Sequence, residues 1–258
     1  MPRLERRGDA AWILLDRPES GNVIDLRFVR ELWDCVRQAR HEDVGVVVLA
    51  STGTAFSVGG DLRAFAGSED MPGLVEELAD SLHRSISALH QLDAVVVAGV
   101  PGTAAGAGVA LAAAADIVLA SDTATFTLAY TRVGLSPDGG STLLVASLGL
   151  HRALRLALLN PTLTADEARE AGLVAEVHAQ GELAAALQRT VDALTAGSRT
   201  AQVGAKRLLR EQALPSAEAA LRRETDSIRR AAGTADAREG VIAFLAKRPP
   251  RFGSERSP

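Results

Sequence analysis

Charge is absent from the chain between Ala94 and Ala115, and almost no side chain there is larger than valine. Val95 to Val97 is a β-branched run that predicts a buried strand, Pro101 and Gly102 mark a turn, and Gly106-Ala107-Gly108 opens an alanine-rich helical segment. Other apolar runs repeat this punctuation. Ala11 to Leu15 predicts a strand closed by Asp16-Arg17-Pro18, and Val44 to Ala50 predicts a strand covered on both faces. Between them Asp25 is placed as a helix N-cap, with Leu26, Val29, Leu32, Trp33 and Val36 at helical spacing. Pro72 to Leu92 predicts an amphipathic helix, and Asp116 to Ser121 and Thr123 to Leu128 predict two further strands. The loop Gly134 to Ser141 precedes an apolar helix from Thr142 to Leu148, and His151 to Leu159 is helical. Thr164 with Glu167 three residues on forms a capping box, and Leu173 to Val177 predicts a last strand. From Gly181 onward the pattern is helical, with breaks near Gly197, Pro215 and Gly233. Strand-helix alternation therefore fills roughly the first 180 residues and a helical region follows, an α/β chain.

Composition narrows the class. At 258 residues the chain suffices for a full α/β core, and 47% hydrophobic against 3% aromatic residues means a core of Ala, Val and Leu. A net charge of -4 without a basic block argues against a nucleic-acid surface. The single cysteine, Cys35, rules out an internal disulfide and fits a reducing compartment. The N-terminus carries charges on both sides of a short apolar run and no cleavage site, so a cytoplasmic protein is expected. A membrane span over Val95 to Asp116 is disfavoured by Pro101 and the glycines.

Several chemistries are excluded by motif. There is no HExxH and no paired-cysteine motif, and His41, His83, His90, His151 and His178 lack metal-ligand spacing, so no metal is expected. No G-x-S-x-G elbow and no P-loop occur, and Gly102, Gly106 and Gly108 have the wrong spacing for a dinucleotide turn. Two glycine-rich turns remain, Gly53 to Leu62 and Pro101 to Gly108, with one acidic loop around Asp138. Two backbone N–H groups from separate turns are the minimal oxyanion hole for a thioester or ester enolate.

The segments LDRPESGNVID, AFSVGGDL, GVPGTAAGAGVALAAAADI, FTLAYTRVGLSPDGGST, LTADEAREAGLVAEV and REGVIAFLAKRPPRF, in this order, resemble the crotonase (enoyl-CoA hydratase/isomerase) superfamily over nearly the whole chain. The resemblance implies a β-β-α superhelix, residues 1–195, followed by a C-terminal helical region, residues 196–258, that mediates trimers or dimers of trimers. It implies an acyl-CoA thioester as substrate, coenzyme A entering only as part of it, and neither nucleic acid nor membrane as partner. Gly60 and Ala107 would then donate the oxyanion-hole N–H groups, and Ala55 to Leu62, including Phe56, Ser57, Val58 and Asp61, would line the adenine site. Arg17, Gly106, Ala110 and Tyr130 belong to the same implied substrate site, with Phe244 and Lys247 near coenzyme A in the assembled oligomer.

Departures from the family pattern matter more. Family hydratases carry one glutamate where this chain has Ala110 and a second, after a proline, where it has Ala129-Tyr130. Alanine moves no proton, and a phenol with a pKa near 10 is a poor base at neutral pH. Asp138 is kept, in the pattern of the phenylacetate-pathway epoxyenoyl-CoA isomerase and Δ3,Δ2-enoyl-CoA isomerases, where the matching aspartate is the single acid/base. The leading expectation is an acyl-CoA isomerase with Asp138 as acid/base. The alternatives are an enoyl-CoA hydratase or other crotonase-type reaction, and a non-catalytic acyl-CoA-binding homologue. Asp138 also has a structural reading, as N-cap of the Thr142 helix.

Overall fold

A computed structural model describes residues 1–253. Its first sheet contains β1 (Arg3–Arg7), β2 (Ala10–Leu15), β3 (Val46–Ser51), β5 (Val95–Val100), β7 (Ile117–Ser121) and β10 (Glu176–His178), in that spatial order. A smaller sheet is ordered β4 (Ala55–Ser57), β6 (Thr103–Ala105), β8 (Thr125–Thr127) and β9 (Leu163–Thr164). Pairing is parallel except at β1–β2 and β8–β9. Three times, a strand of the large sheet is followed by a short strand of the small one, the β-β-α repeat. Eleven helices complete the described chain: α1 (Leu26–His41), α2 (Leu62–Gly67), α3 (Met71–His90), α4 (Ala107–Ala113), α5 (Leu144–Leu148), α6 (Leu150–Leu159), α7 (Ala165–Glu170), α8 (Leu183–Thr195), α9 (Arg199–Ala213), α10 (Ala217–Ala232) and α11 (Ala235–Leu245).

Both faces of the large sheet are covered, which is why its central strands read as unbroken apolar runs. Ala11, Ile13 and Leu15 of β2 enter the main core with α1 and α3, while Ala10, Trp12 and Leu14 face α8 through Leu183 and Leu187. Asp25 caps α1, accepting from the Phe28 N–H at 2.7 Å, and the Thr164–Glu167 capping box is formed. α10 and α11 add Ile228, Ala232, Ala237 and Val241 to the main core. Among the described residues no helix is long and apolar enough to cross a membrane.

Several elements differ from the expectation. β1 was not expected because its sequence, RLERR, is charged; it is an edge strand whose arginines reach solvent. Leu173 and Val174 are buried by packing, and the last strand begins only at Glu176. The helix expected from Thr142 starts as a 3-10 turn, Ser141–Leu143, before α5.

Candidate active site

The two glycine-rich turns meet. After β4 the chain turns at Gly59, which has φ +85° and lies so close to β6 that a Cβ would fall 2.8 Å from the Ala105 carbonyl oxygen; only glycine fits. Gly60 pairs with Ile24 in a parallel bridge: the Ile24 N–H donates to Gly59 O (2.8 Å) and the Asp61 N–H to Ile24 O (3.2 Å). That pattern uses the peptides on either side of Gly60 and leaves its own N–H on the opposite edge. In the second turn the Gly106 N–H donates to Thr127 O (2.9 Å) and Ala107 is the first residue of α4, where an N–H has no intrahelical partner. Neither the Gly60 nor the Ala107 N–H has an acceptor among the described residues.

The acidic loop closes on the same place. Gly139 has φ +64°, and a Cβ there would lie 3.1 Å from Ala107 Cβ and 3.2 Å from Leu82. Asp138 is thus seated next to the start of α4, only 6% exposed. Its carbonyl accepts from the Ser141 hydroxyl (2.6 Å), the Ser141 N–H (3.1 Å) and the Tyr130 hydroxyl (3.2 Å). Its carboxyl caps nothing. The 3-10 turn is capped by Glu224 of α10, which accepts from the Gly140 and Thr142 N–H groups, both at 2.7 Å. Burial pushes the Asp138 carboxyl up to about 6; Tyr130 and His83 oppose the rise and Glu224 adds to it. Burial also holds the Tyr130 phenol well above its ordinary value, so it stays neutral and donates.

These groups line a cavity of about 310 Å³. Phe65, Val75, Leu78 and Leu82 from α2 and α3, Val133 just before the acidic loop, Leu135 within it, and Ile228 from α10 make the walls apolar. Asp138 is the one carboxylate in the lining. Two unpartnered amides beside a carboxyl that titrates near neutrality can hold a developing oxyanion and move a proton on the adjacent carbon.

Of the residues expected from sequence, the structure brings Gly60, Ala107, Asp138, Val58, Leu62, Gly106, Tyr130 and Phe244 to this cavity. Phe244 arrives on the same chain's α11. The remainder lie off the wall. Arg17 pairs with Asp25 at 2.6 Å, the Ala55 carbonyl accepts from Asn22, and Asp61 caps α2 through the Arg63 and Ala64 N–H groups. The Phe56 and Ser57 side chains are wholly buried. Ala110 lines a second cavity behind α4 with Gly140, Leu143 and Lys206, and Lys247 is exposed beyond α11. Reading the sequence missed Glu224 and His83, which meet at 3.1 Å. Glu224 sits in LRRETDSIRR, which reads as a solvated face; its one signal is its place three residues after Leu221 and four before Ile228 on the apolar stripe.

The chain matches the family described as Enoyl-CoA hydratase/isomerase over residues 5–255. It is 37% identical over 251 residues to a 1,2-epoxyphenylacetyl-CoA isomerase of Escherichia coli, covering 93% of each chain. It is 32% identical to a trans-2-decenoyl-[acyl-carrier-protein] isomerase of Streptococcus mutans, covering 94% of each. Among solved structures, an enoyl-CoA hydratase from Mycobacterium avium subsp. paratuberculosis superposes with a TM-score of 0.89 at 32% identity, over 97% of this chain and 98% of that one.

Proposed function

The chain belongs to the enoyl-CoA hydratase/isomerase family, and we propose that within it the chain is an acyl-CoA isomerase, shifting a double bond or opening a ring epoxide through a thioester enolate. The observation that carries this reading is a single buried carboxyl, Asp138, beside two unpartnered amides, with Ala110 and Tyr130 at the positions where family hydratases hold glutamates. The thioester oxygen accepts from the Gly60 and Ala107 N–H groups. Ionised Asp138 takes the C2 proton, the electron pair moves onto the thioester oxygen, and the carboxylic acid so formed returns the proton at C4 as the double bond moves to C2–C3. The ring-epoxide variant uses the same enolate.

A carboxyl at about 6 suits this role. It is ionised at neutral pH, yet more basic than an exposed aspartate, and its protonated form is at home among apolar walls. An α-proton beside a thioester is too weakly acidic for a carboxylate unaided, and each preorganised donor contributes on the order of 3 kcal/mol to the enolate. No second acid/base is placed to activate water, because the neutral Tyr130 phenol donates to a carbonyl.

The reading extends to assembly. The oligomerisation region is residues 196–258, of which 254–258 lie outside the described residues, and Leu208 and Leu209 on α9, each 71% exposed, supply apolar surface for a trimer or dimer of trimers. A cytoplasmic location belongs to the same reading. Product analysis tests the activity: a 3-enoyl-CoA is converted to the 2-enoyl-CoA, while crotonyl-CoA gives no 3-hydroxybutyryl-CoA. Hydration at ordinary enzyme rates, on the order of 10 per second, makes the protein a hydratase; tight binding with no turnover of either ester makes it a silent homologue.

A further inference from the structure

The isomerase reading leaves unused a buried polar cluster between α3 and α10. Glu224 lies on α10, 84 residues beyond Gly140. Its side chain is 1% exposed and that of His83, opposite it on α3, is 7% exposed. One Glu224 oxygen accepts from the Gly140 N–H (2.7 Å) and faces His83 Nε2 (3.1 Å); the other accepts from the Thr142 N–H (2.7 Å) and the Thr142 hydroxyl. His83 Nδ1 meets the Thr225 hydroxyl at 3.1 Å, and that hydroxyl bonds Asp80 at 2.8 Å.

We propose that Glu224 is a positioning residue for Asp138, clamping from below the loop that carries the acid. Gly139 and Gly140 both have positive φ, +64° and +91°, and this turn aims the Gly140 and Thr142 N–H groups at one point instead of along a helix. Buried donors without an acceptor force a loop to rearrange, so the carboxylate there decides whether the turn keeps its shape. The Asp138 carbonyl is held separately, by the Tyr130 and Ser141 hydroxyls. The side chain of Asp138 is therefore aimed by two anchors: its own carbonyl, held from the loop, and the following peptides, held by Glu224. His83 keeps the Glu224 oxygens oriented and is itself braced by Thr225 and Asp80. Glu224 thereby reaches the chemistry without touching substrate, since it does not line the cavity.

This inference rests on Asp138 being the acid/base, and the experiment separates the two. Glu224→Ala and Glu224→Gln are made in the parent and in Asp138→Asn, and kcat and KM on a 3-enoyl-CoA are measured beside melting curves. Glu224→Ala is expected to lower kcat by about 10-fold or more, as misplacement of a reacting group does, with KM within about 2-fold. Glu224→Gln keeps an oxygen for Thr142 and recovers part of the loss. In the Asp138→Asn background either change alters the residual rate by less than about 2-fold, because the residue it positions is gone. Equal loss in both backgrounds, or a folded Glu224→Ala with parental kcat, overturns the role. Where Glu224→Ala fails to fold, Glu224→Gln carries the same comparison. A fully active Asp138→Asn overturns the isomerase reading and this inference with it, whereas an inactive Asp138→Asn beside a fully active Glu224→Gln overturns this inference alone.

Discussion

Replacing Asp138 by asparagine is expected to make the protein more stable and less active, and both halves follow from one displaced pKa. The carboxyl titrates near 3.8 in an unfolded chain and at about 6 in the fold. Because the folded value is the higher one, the folded state disfavours the charged form. The penalty is absent below the unfolded value, grows between about 4 and 6, and is constant above that. About two units at ~1.4 kcal/mol each set an upper bound of about 3 kcal/mol at neutral pH. Asparagine has the same shape and no charge, so Asp138→Asn should gain roughly 1–3 kcal/mol at pH 7.5 and almost nothing at pH 4. For a chain of this size that corresponds to a melting temperature higher by roughly 2–10 °C at pH 7.5. Isomerisation should fall by about 10²-fold or more, since an amide neither takes nor returns the proton. Thermal unfolding at the two pH values, beside kcat on a 3-enoyl-CoA, reads both. An Asn variant less stable at pH 7.5 would mean that the carboxylate is a favourable structural ligand, and unchanged kcat would remove it from the chemistry.

Other consequences can be checked separately. kcat/KM for the parent should rise with pH through a limb near 6, where Asp138 ionises in the free enzyme; a limb near 4 would place the carboxyl in water. Ala107→Val should fold but lose most turnover, because its added methyls crowd Gly139, which packs against Ala107, and shift the Asp138 loop; normal kinetics would put the site elsewhere. Asp116→Ala should destabilise by about 3–5 kcal/mol, since Asp116 pairs with buried Lys206 (3.0 Å) and with Arg210 (2.7 Å) and accepts from the Val96 N–H (2.8 Å). Denaturant midpoints measure it, and a loss below about 1 kcal/mol would make the pairs dispensable.

What the sequence made legible divides along physical lines. The central strands declared themselves because a sheet buried on both faces demands β-branched runs, and α1 and α7 because Asp25 and Thr164 cap by local chemistry. The Gly59-Gly60 and Gly106-Ala107 turns were visible because close backbone approach excludes side chains. β4 and β6 escaped, being only three residues each and defined by pairing with distant partners. Glu224 and His83 escaped for a stronger reason: a buried carboxylate and an exposed one look alike in sequence until the fold brings Gly140 and Thr142 to one of them. Phe56 and Ser57 belong to the loop expected to meet the ligand; both are fully buried, and Val58 beside them lines the cavity.

The most direct test follows the proton. A 3-enoyl-CoA is incubated in D2O with the parent and with Asp138→Asn, and the product is analysed by mass spectrometry and NMR. The account predicts a 2-enoyl-CoA with no oxygen added, carrying on average less than one deuterium at C4 because one buried carboxyl carries the same hydrogen from C2 to C4, and a rate at least about 10²-fold lower for Asp138→Asn. A product heavier by one water from the parent, or equal turnover by the two proteins, would contradict it.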